Sequence, residues 1–452
     1  MKAINLGNEK LPKHWAIAKL PEFTNLTMGQ SPASETYNLD GNGLPFFQGK
    51  AEFGSVYPTI NKYCSEPNKI AEAGAILLSV RAPVGPTNLA QSRCCIGRGL
   101  AAIHPIGGVD SKFILLLFRS IELNLSGEGT GSTFKAITKA FVHNLTFAIP
   151  PLPEQYRIVA KIEELFSELD NGIVALKTAR EQLKVYRQAT LKHAFEGKLT
   201  AQWREKNATV PWRLEKLGNL LVLLTSGSRG WAQYYSDCGD TFIRAQNLKH
   251  DRLDLDEKAF VALPTKAEGR RTQVQVGDVL VTITGANVTK TGRVSADVGT
   301  AYVSQHVALC RPTEDIDSEF LYWFLVSEAA GRKQLSKFAY GAGKPGLNLD
   351  NIRSVEISLP SLEEQYEIVN KLRELLSIEE NVSSIIETEL RRVELIRQSV
   401  LKKAFSGQLV SQDPNDEPAS ELLDRMSAEK QKGEQMVRTS AHFLDSYLRE
   451  TT

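Results

Sequence analysis

The sequence predicts two α/β (α+β) globular domains joined by two long antiparallel coiled-coil helices, a pseudo-two-fold and circular plan. Three observations carry this expectation. One stretch of the chain recurs without a gap at an offset of 210 residues. Each copy of it reads as a long helix. The segments that precede the two copies also match each other, more loosely.

Internal repeats are the first thing to test in a chain of 452 residues. Laying residues 150–202 on 360–412 gives 22 identities in 53 positions. They include Glu154/Glu364, Gln155/Gln365, Tyr156/Tyr366, Arg187/Arg397, Gln188/Gln398, Ala194/Ala404, Phe195/Phe405 and Gly197/Gly407. Chance would give only a few.

The elements follow in order. Residues 1–149 form a first domain. It holds a buried-strand pattern with a polar turn ("GAILLSVRAPVG" from Gly74), the segment "DSKF" from Asp110, and a glycine-rich loop running into a short helix ("GTGSTFKAIT" from Gly129). Residues 150–202 form the first long helix. Pro153 suits its first turn, and Gly197 sits where a left-handed residue would end it. Apolar residues keep heptad spacing at Ile162, Leu165, Leu169, Leu176, Ala179, Leu183 and Tyr186.

Residues 203–359 form the second domain and repeat the first. Trp15 and Leu20 correspond to Trp212 and Leu217, and "MGQSP" at Met28 to "TSGSRG" at Thr225. "GDVLVTITGANV" at Gly277, "DSEF" at Asp317 and "GAGKPGLNLD" at Gly341 match the three segments named above. Residues 360–412 form the second long helix, with Ser361 as its cap, Glu364 completing a capping box, and Gly407 as its stop. Its apolar seam runs through Leu372, Leu375, Val382, Ile386, Val393, Ile396 and Val400. Tyr156 and Tyr366 read as helix-packing residues. Residues 413–452, opening on "DPNDEPAS", are charged and helix-prone; a bracing or partner-binding helix and a solvated appendage both fit.

Neither seam can be hidden by a single helix, so the two are expected to pack together. Roughly 43 residues at about 1.5 Å each make a rod near 65 Å long. The first helix leaves domain one and enters domain two. An antiparallel partner returns the chain to its start.

Composition sets the limits on function. No apolar run approaches the roughly 18 residues of a membrane span. The start, "MKAINLGNEKLPKHW", lacks the apolar core of a signal peptide, so a cytoplasmic protein with no membrane partner is expected. Cys64, Cys94, Cys95, Cys238 and Cys310 form an odd set without zinc-like spacing, and the Cys94–Cys95 pair reads as two reduced thiols near an apolar strand. The formal net charge is +1. Residues 1–149 hold 14 basic and 10 acidic side chains, residues 203–359 hold 20 and 18, and residues 360–452 hold 12 and 18. Any site for a polyanion is therefore local, or partly supplied by a partner.

The helix starts "PPLPEQYRIV" and "LPSLEEQYEIV" and the helix ends "AFEGKL" and "AFSGQL" carry a resemblance to the specificity subunit of type I restriction–modification systems. It runs over nearly the whole chain, to about Gln412. The resemblance implies two variable target-recognition domains that read the halves of a split sequence in double-stranded DNA, with the helices as a spacer. It also implies two methyltransferase subunits as partners, which carry S-adenosylmethionine and methylate adenine, and restriction subunits that join through them. This chain itself would be non-catalytic and hold no cofactor.

The residues agree on the missing chemistry. "DPND" at Asp413 lacks the second proline and the aromatic of a methyltransferase tetrad. There is no Walker motif, and the seven histidines have no metal-ligand spacing. "GEGTGS" at Gly127 lacks the Rossmann context; it reads as a flexible loop or as a backbone contact to phosphate. The rival function is a coiled-coil scaffold that holds two proteins apart without touching DNA.

Arg and Lys reach phosphates or guanine, and Asn and Gln reach adenine. Candidates in domain one are Gln30, Gln48, Lys50, Arg81, Arg93, Arg98 and Lys135. In domain two they are Arg229, Arg244, Gln246, Asn247, Arg270, Arg271, Asn287, Lys290, Arg293 and Lys344. Each singly is as well read as a solvated surface residue. "TFIRAQNLKH" at Thr241 is the favoured segment, because Arg244, Gln246 and Asn247 cluster after a short strand.

Overall fold

The computed structural model describes residues 11–128, 136–207, 210–264, 270–339 and 345–432. It divides into two compact units. One takes the chain up to Val174 together with everything from Glu389, and the other takes Ala175–Thr388. The first unit thus draws on both ends of the sequence.

Six strands organise the first unit: β1 (Thr24–Met28), β2 (Leu44–Phe47), β3 (Ile76–Ser79), β4 (Thr87–Leu89), β5 (Cys94–Ile96) and β6 (Leu100–Pro105). One sheet is antiparallel with the order β1-β6-β3-β4. Its central strand β3 is buried at all four positions, as its unbroken apolar run requires. A second sheet sets β2 parallel to β5, with the short pairs Tyr37–Asn38, Tyr63–Cys64 and Ile70–Ala71 completing it. The second unit repeats this plan with β7 (Leu221–Ser226), β8 (Asp240–Ile243), β9 (Val279–Thr282), β10 (Thr291–Arg293), β11 (Ala301–Val303) and β12 (Val307–Pro312). Its antiparallel sheet has the order β7-β12-β9-β10, and β8 runs parallel to β11. Register fixes the correspondence: Phe46 lies opposite Cys95, and Phe242 opposite Tyr302.

Helices cover the antiparallel sheets. Asp110 caps Ser111–Ser120 by accepting from the Phe113 amide at 2.8 Å, and Asp317 caps Ser318–Val326 through the Phe320 amide at 2.9 Å. The two caps lie in "DSKF" and "DSEF", the segments that the sequence matches to each other.

The long helices α1 (Leu152–Phe195) and α2 (Leu362–Phe405) have 44 residues each. Within the second unit Arg180 meets Glu387 at 3.0 Å and Arg187 meets Glu379 at 2.9 Å, so the pairing is antiparallel. Within the first, Arg397 pairs with Asp170 and lies over the Phe166 ring at 5.4 Å. The seam is narrower than the heptad reading. Ile162, Leu372, Ile386 and Val393 are buried, but Tyr186, Val382 and Ile396 are exposed, and Leu376 and Leu401 are buried in their stead. Ion pairs and Arg–aromatic contacts take over where apolar contact stops. Tyr156 and Tyr366 are also half exposed, at 51% and 52%, so neither is a packing residue.

The repeated motifs build a joint at each helix start. In the first unit the Trp15 Nε1–H donates to buried Glu154 at 3.1 Å; in the second, Trp212 donates to Glu364 at 2.9 Å. Gln155 and Gln365 each donate to the proline carbonyl five residues back, at 3.1 Å in both. Gly197 and Gly407 stop the helices at φ +72° and +74°, and a Cβ there would press on Arg204 and Trp212 and on Pro12 respectively. Residues 419–432 form a helix whose Ala419, Leu422 and Met426 are buried in the first unit. This segment is a brace, and the appendage reading fails for it. Burial pushes the Cys94, Cys95 and Cys310 thiols up to about 12, which keeps them protonated.

Candidate nucleic-acid interface

Three strand ends meet on the first unit. The Gly97 amide at the end of β5 donates to the carbonyl of Phe47 on β2 at 2.8 Å. The Val80 amide after β3 donates to the Gly99 carbonyl at 2.9 Å. The "GRG" turn between β5 and β6 must be small. A Cβ on Gly99 would stand 2.3 Å from the Gln48 carbonyl oxygen. Around this junction lies a cleft of about 220 Å³ lined by Gln48, Lys50, Ser79, Arg81 and Arg98, among others. All of these but Ser79 were candidates from the sequence. All four candidates are exposed, and among the described residues Lys50, Arg81 and Arg98 make no ion pair. Three uncompensated cations and an amide on one rim form a site for phosphate or base edges.

The second unit builds the same junction. Ser304 donates to the Ile243 carbonyl at 2.8 Å, and Ile283 to the His306 carbonyl at 2.9 Å. The register puts Arg244 and Gln246 where the first unit has Gln48 and Lys50. It puts Thr284 in the place of Arg81, Gln305 in the place of Arg98, and His306 in the place of Gly99. The rim is thus duplicated in backbone and different in side chains. Gln305 and His306 are exposed and 3.2 Å apart. Sequence reasoning passed over Thr284, Gln305 and His306. Laying "CIGRGLAAIHP" on "YVSQHVALCRP" would have placed the last two.

Among the described residues, none of the remaining candidates stands at a register position of either rim. Gln30 is exposed after β1, its amide donating to Ile96 at 3.1 Å. Arg93 pairs with Glu72 at 3.2 Å. Arg229 is exposed on the loop after β7. Arg271 donates to Thr225 at 3.2 Å, and Asn287 to the Ala245 carbonyl at 3.4 Å. Lys135, Lys344 and the Arg270 side chain lie outside the described residues, as does most of the "GEGTGS" loop.

Three candidates are committed to architecture. Asn247 is buried, accepting from the Arg244 amide at 2.9 Å and donating to the Asp254 carbonyl at 2.8 Å. Lys290 pairs with Asp251 at 3.0 Å, beside Arg332. Burial would raise the Asp251 carboxyl, but these cations hold it below its ordinary value. Arg293 pairs with Glu319 at 2.7 Å, an acid also held by Arg373. Burial again works against that charge, and the two guanidiniums outweigh it.

Among the described residues no group of three or more His, Cys, Asp or Glu is placed to hold a metal, and no helix is long and apolar enough to cross a membrane.

Comparison with known proteins shows what the chain is similar to. The profile of the type I restriction modification DNA specificity domain matches residues 12–178 and 242–388. The type I restriction enzyme StySPI specificity subunit of Salmonella potsdam is 25% identical, over 94% of this chain and 97% of its own length. A Methanocaldococcus jannaschii protein, provisionally named as the type I restriction enzyme MjaX specificity subunit, is 36% identical over 193 residues, 42% of this chain and 44% of its own. The crystal structure of the HsdS subunit from Thermoanaerobacter tengcongensis shares the fold, with a TM-score of 0.57 and 21% identity, over 89% of this chain and 99% of that one.

Proposed function

The chain belongs to the type I restriction modification DNA specificity family, and from that premise we propose that it is the non-catalytic subunit that chooses the DNA sequence for a type I restriction–modification complex. Each unit reads one half of a split, asymmetric target through its strand-end rim. The observation that carries this is the duplicated junction: one backbone arrangement, occurring twice, displays Gln48, Lys50, Arg81 and Arg98 in one unit and Arg244, Gln246, Thr284 and Gln305 in the other. Equal scaffolds with unequal rims suit unequal half-sites.

Methyl transfer then belongs to partner subunits, which would hold S-adenosylmethionine. A surface that occurs twice offers a partner two equivalent sites, which supports two methyltransferase subunits per chain, with restriction subunits joining through them. The test is to express the chain beside the methyltransferase encoded next to it and read the methylated motif across a genome. A two-part motif is expected, and Arg244→Ala with Gln246→Ala should relax one part alone. A continuous motif, equal loss in both parts, or failure of a methyltransferase to copurify would refute the reading.

A further inference from the structure

The second unit has a slot at its reading rim. It opens beside the β11–β12 turn, encloses about 150 Å³, and is walled by Trp231, Tyr235, Phe242, Ser304, Gln305 and His306, among others. A cavity of this size is what one benzene ring fills in an engineered apolar site. The Trp231 and Phe242 rings stack at 5.6 Å and 28°, and Tyr235 stands edge-on to Phe242 at 81°. Gln305 and His306 supply a polar lip and belong to the reading rim. Ser304 is only 4% exposed, and its hydroxyl has no hydrogen-bond partner. A buried hydroxyl left in this state is costly.

The first unit closes the same place with its own ring. Tyr37 is the counterpart of Tyr235 and Phe46 of Phe242 by register. There the two rings lie flat on each other at 4.7 Å and 26°, and the Tyr37 hydroxyl is tied to the Pro32 carbonyl at 2.9 Å. The strand pairing is shared, and the loop that lines the slot differs: Gly230 stands at φ +87° where the register puts Pro32 in the first unit.

We infer that this slot takes up one unstacked nucleobase from the half-site that the second unit reads. The inference rests on the DNA-reading function proposed above. An aromatic wall with a polar edge is how proteins hold a base outside the stack, the ring by its face and its edge by hydrogen bonds.

The test uses the intact chain alone, so that no methyltransferase pocket contributes. Duplexes carrying the motif found by methylome reading are given a single mismatch at each position in turn, and binding is measured. A mismatch removes part of the cost of unpairing. Affinity should therefore rise about tenfold at one position of the second half-site and at none of the first. Ala232→Trp, which fills the slot, should abolish that rise, and Tyr235→Ala, which removes a wall instead, should reduce it. The slot is overturned if no mismatch tightens binding, or if the tightening survives both substitutions. Loss of all sequence preference in the unmodified chain is a different result, and it would remove the DNA-reading function itself.

Discussion

The twin joints make a sharp test, because one glutamate of the pair has a cation and the other does not. Glu364 is fully buried and receives three donors: Trp212 Nε1, the Thr200 hydroxyl and Arg204 Nη1. Glu154 receives two, Trp15 Nε1 and Gln412 Nε2, at 3.1 and 3.3 Å. Glu364→Gln turns an acceptor into an amide that faces a donor, and it strips Arg204 of its counter-charge. Breaking a buried pair from one side costs about 3–5 kcal/mol. Arg204 keeps some access to water, at 29% exposure, so the lower end, about 3 kcal/mol, applies. For a unit of this size that is a fall in Tm of roughly 6–12 °C. Glu154→Gln removes a buried charge that lacks a contacting cation, and it should cost less than about 1 kcal/mol.

The pH dependence of Glu154 has a definite sign. Burial raises its carboxyl above the ordinary 4.5, against the hydrogen bonds from Gln412 and Trp15. Its proton therefore favours the fold. That stability is fully present below the unfolded value and is lost as pH rises through the higher folded one. The chain carrying Glu154→Gln should gain on the unmodified chain as pH is raised from about 4 to 7. Calorimetry of the full chain reads both effects, and hydrogen exchange assigns each melting step to its unit. Equal losses from the two substitutions, or a larger loss at Glu154, would refute the reasoning.

Other outcomes follow from the same contacts. Arg293→Ala and Lys290→Ala should each lower stability by about 1–3 kcal/mol, by leaving Glu319 or Asp251 short of a partner; the methylated motif should not change. Asp251→Asn should cost more at neutral pH than in acid, because a carboxyl held low gives stability above its unfolded value and loses it as pH falls through the folded one; denaturant melts at several pH values measure this. Met426→Ala, which opens a hole beside Gly107 in the first unit's core, should cost about 2–5 kcal/mol by thermal melting. Replacing Lys50, Arg81 and Arg98 by Ala should reduce the slope of log affinity against log salt by about 0.9 for each side chain that meets a phosphate.

The sequence discloses those features whose physics is local. Gly197 and Gly407 stop their helices because a left-handed residue is needed there. The circular plan was legible from the repeat alone, and the first unit joins Trp15 to Glu154 and the His14 carbonyl to the Ala419 amide accordingly. Parallel pairing of β2 with β5 was not legible, since nothing in "LPFF" announces a partner some fifty residues on. Residue type misled in the same way within the second domain. Asn247, Lys290 and Arg293 have the chemistry of base or phosphate readers, yet each finds a partner inside the fold. His306 escaped notice because its importance lies in register, which only pairing reveals.

These two kinds of polar residue explain how one fold accommodates two different rims. At each junction the strand ends are tied by backbone hydrogen bonds, from Gly97 to Phe47 and Val80 to Gly99 in one unit and from Ser304 to Ile243 and Ile283 to His306 in the other. None of these bonds uses a rim side chain. Gln48, Lys50, Arg81 and Arg98 are exposed, so exchanging them disturbs neither core nor ladder, and surface changes of that kind stay within about 0.5 kcal/mol. The joints behave oppositely. There Trp, Glu, Gln and Gly are identical in both copies, because Glu and Gln are buried, each Trp donates to its Glu, and each Gln donates to a proline carbonyl. Within a single chain, then, burial divides residues that cannot change from residues that are free to. A protein whose task is to read a different sequence with each unit has its differences where the backbone alone holds the structure.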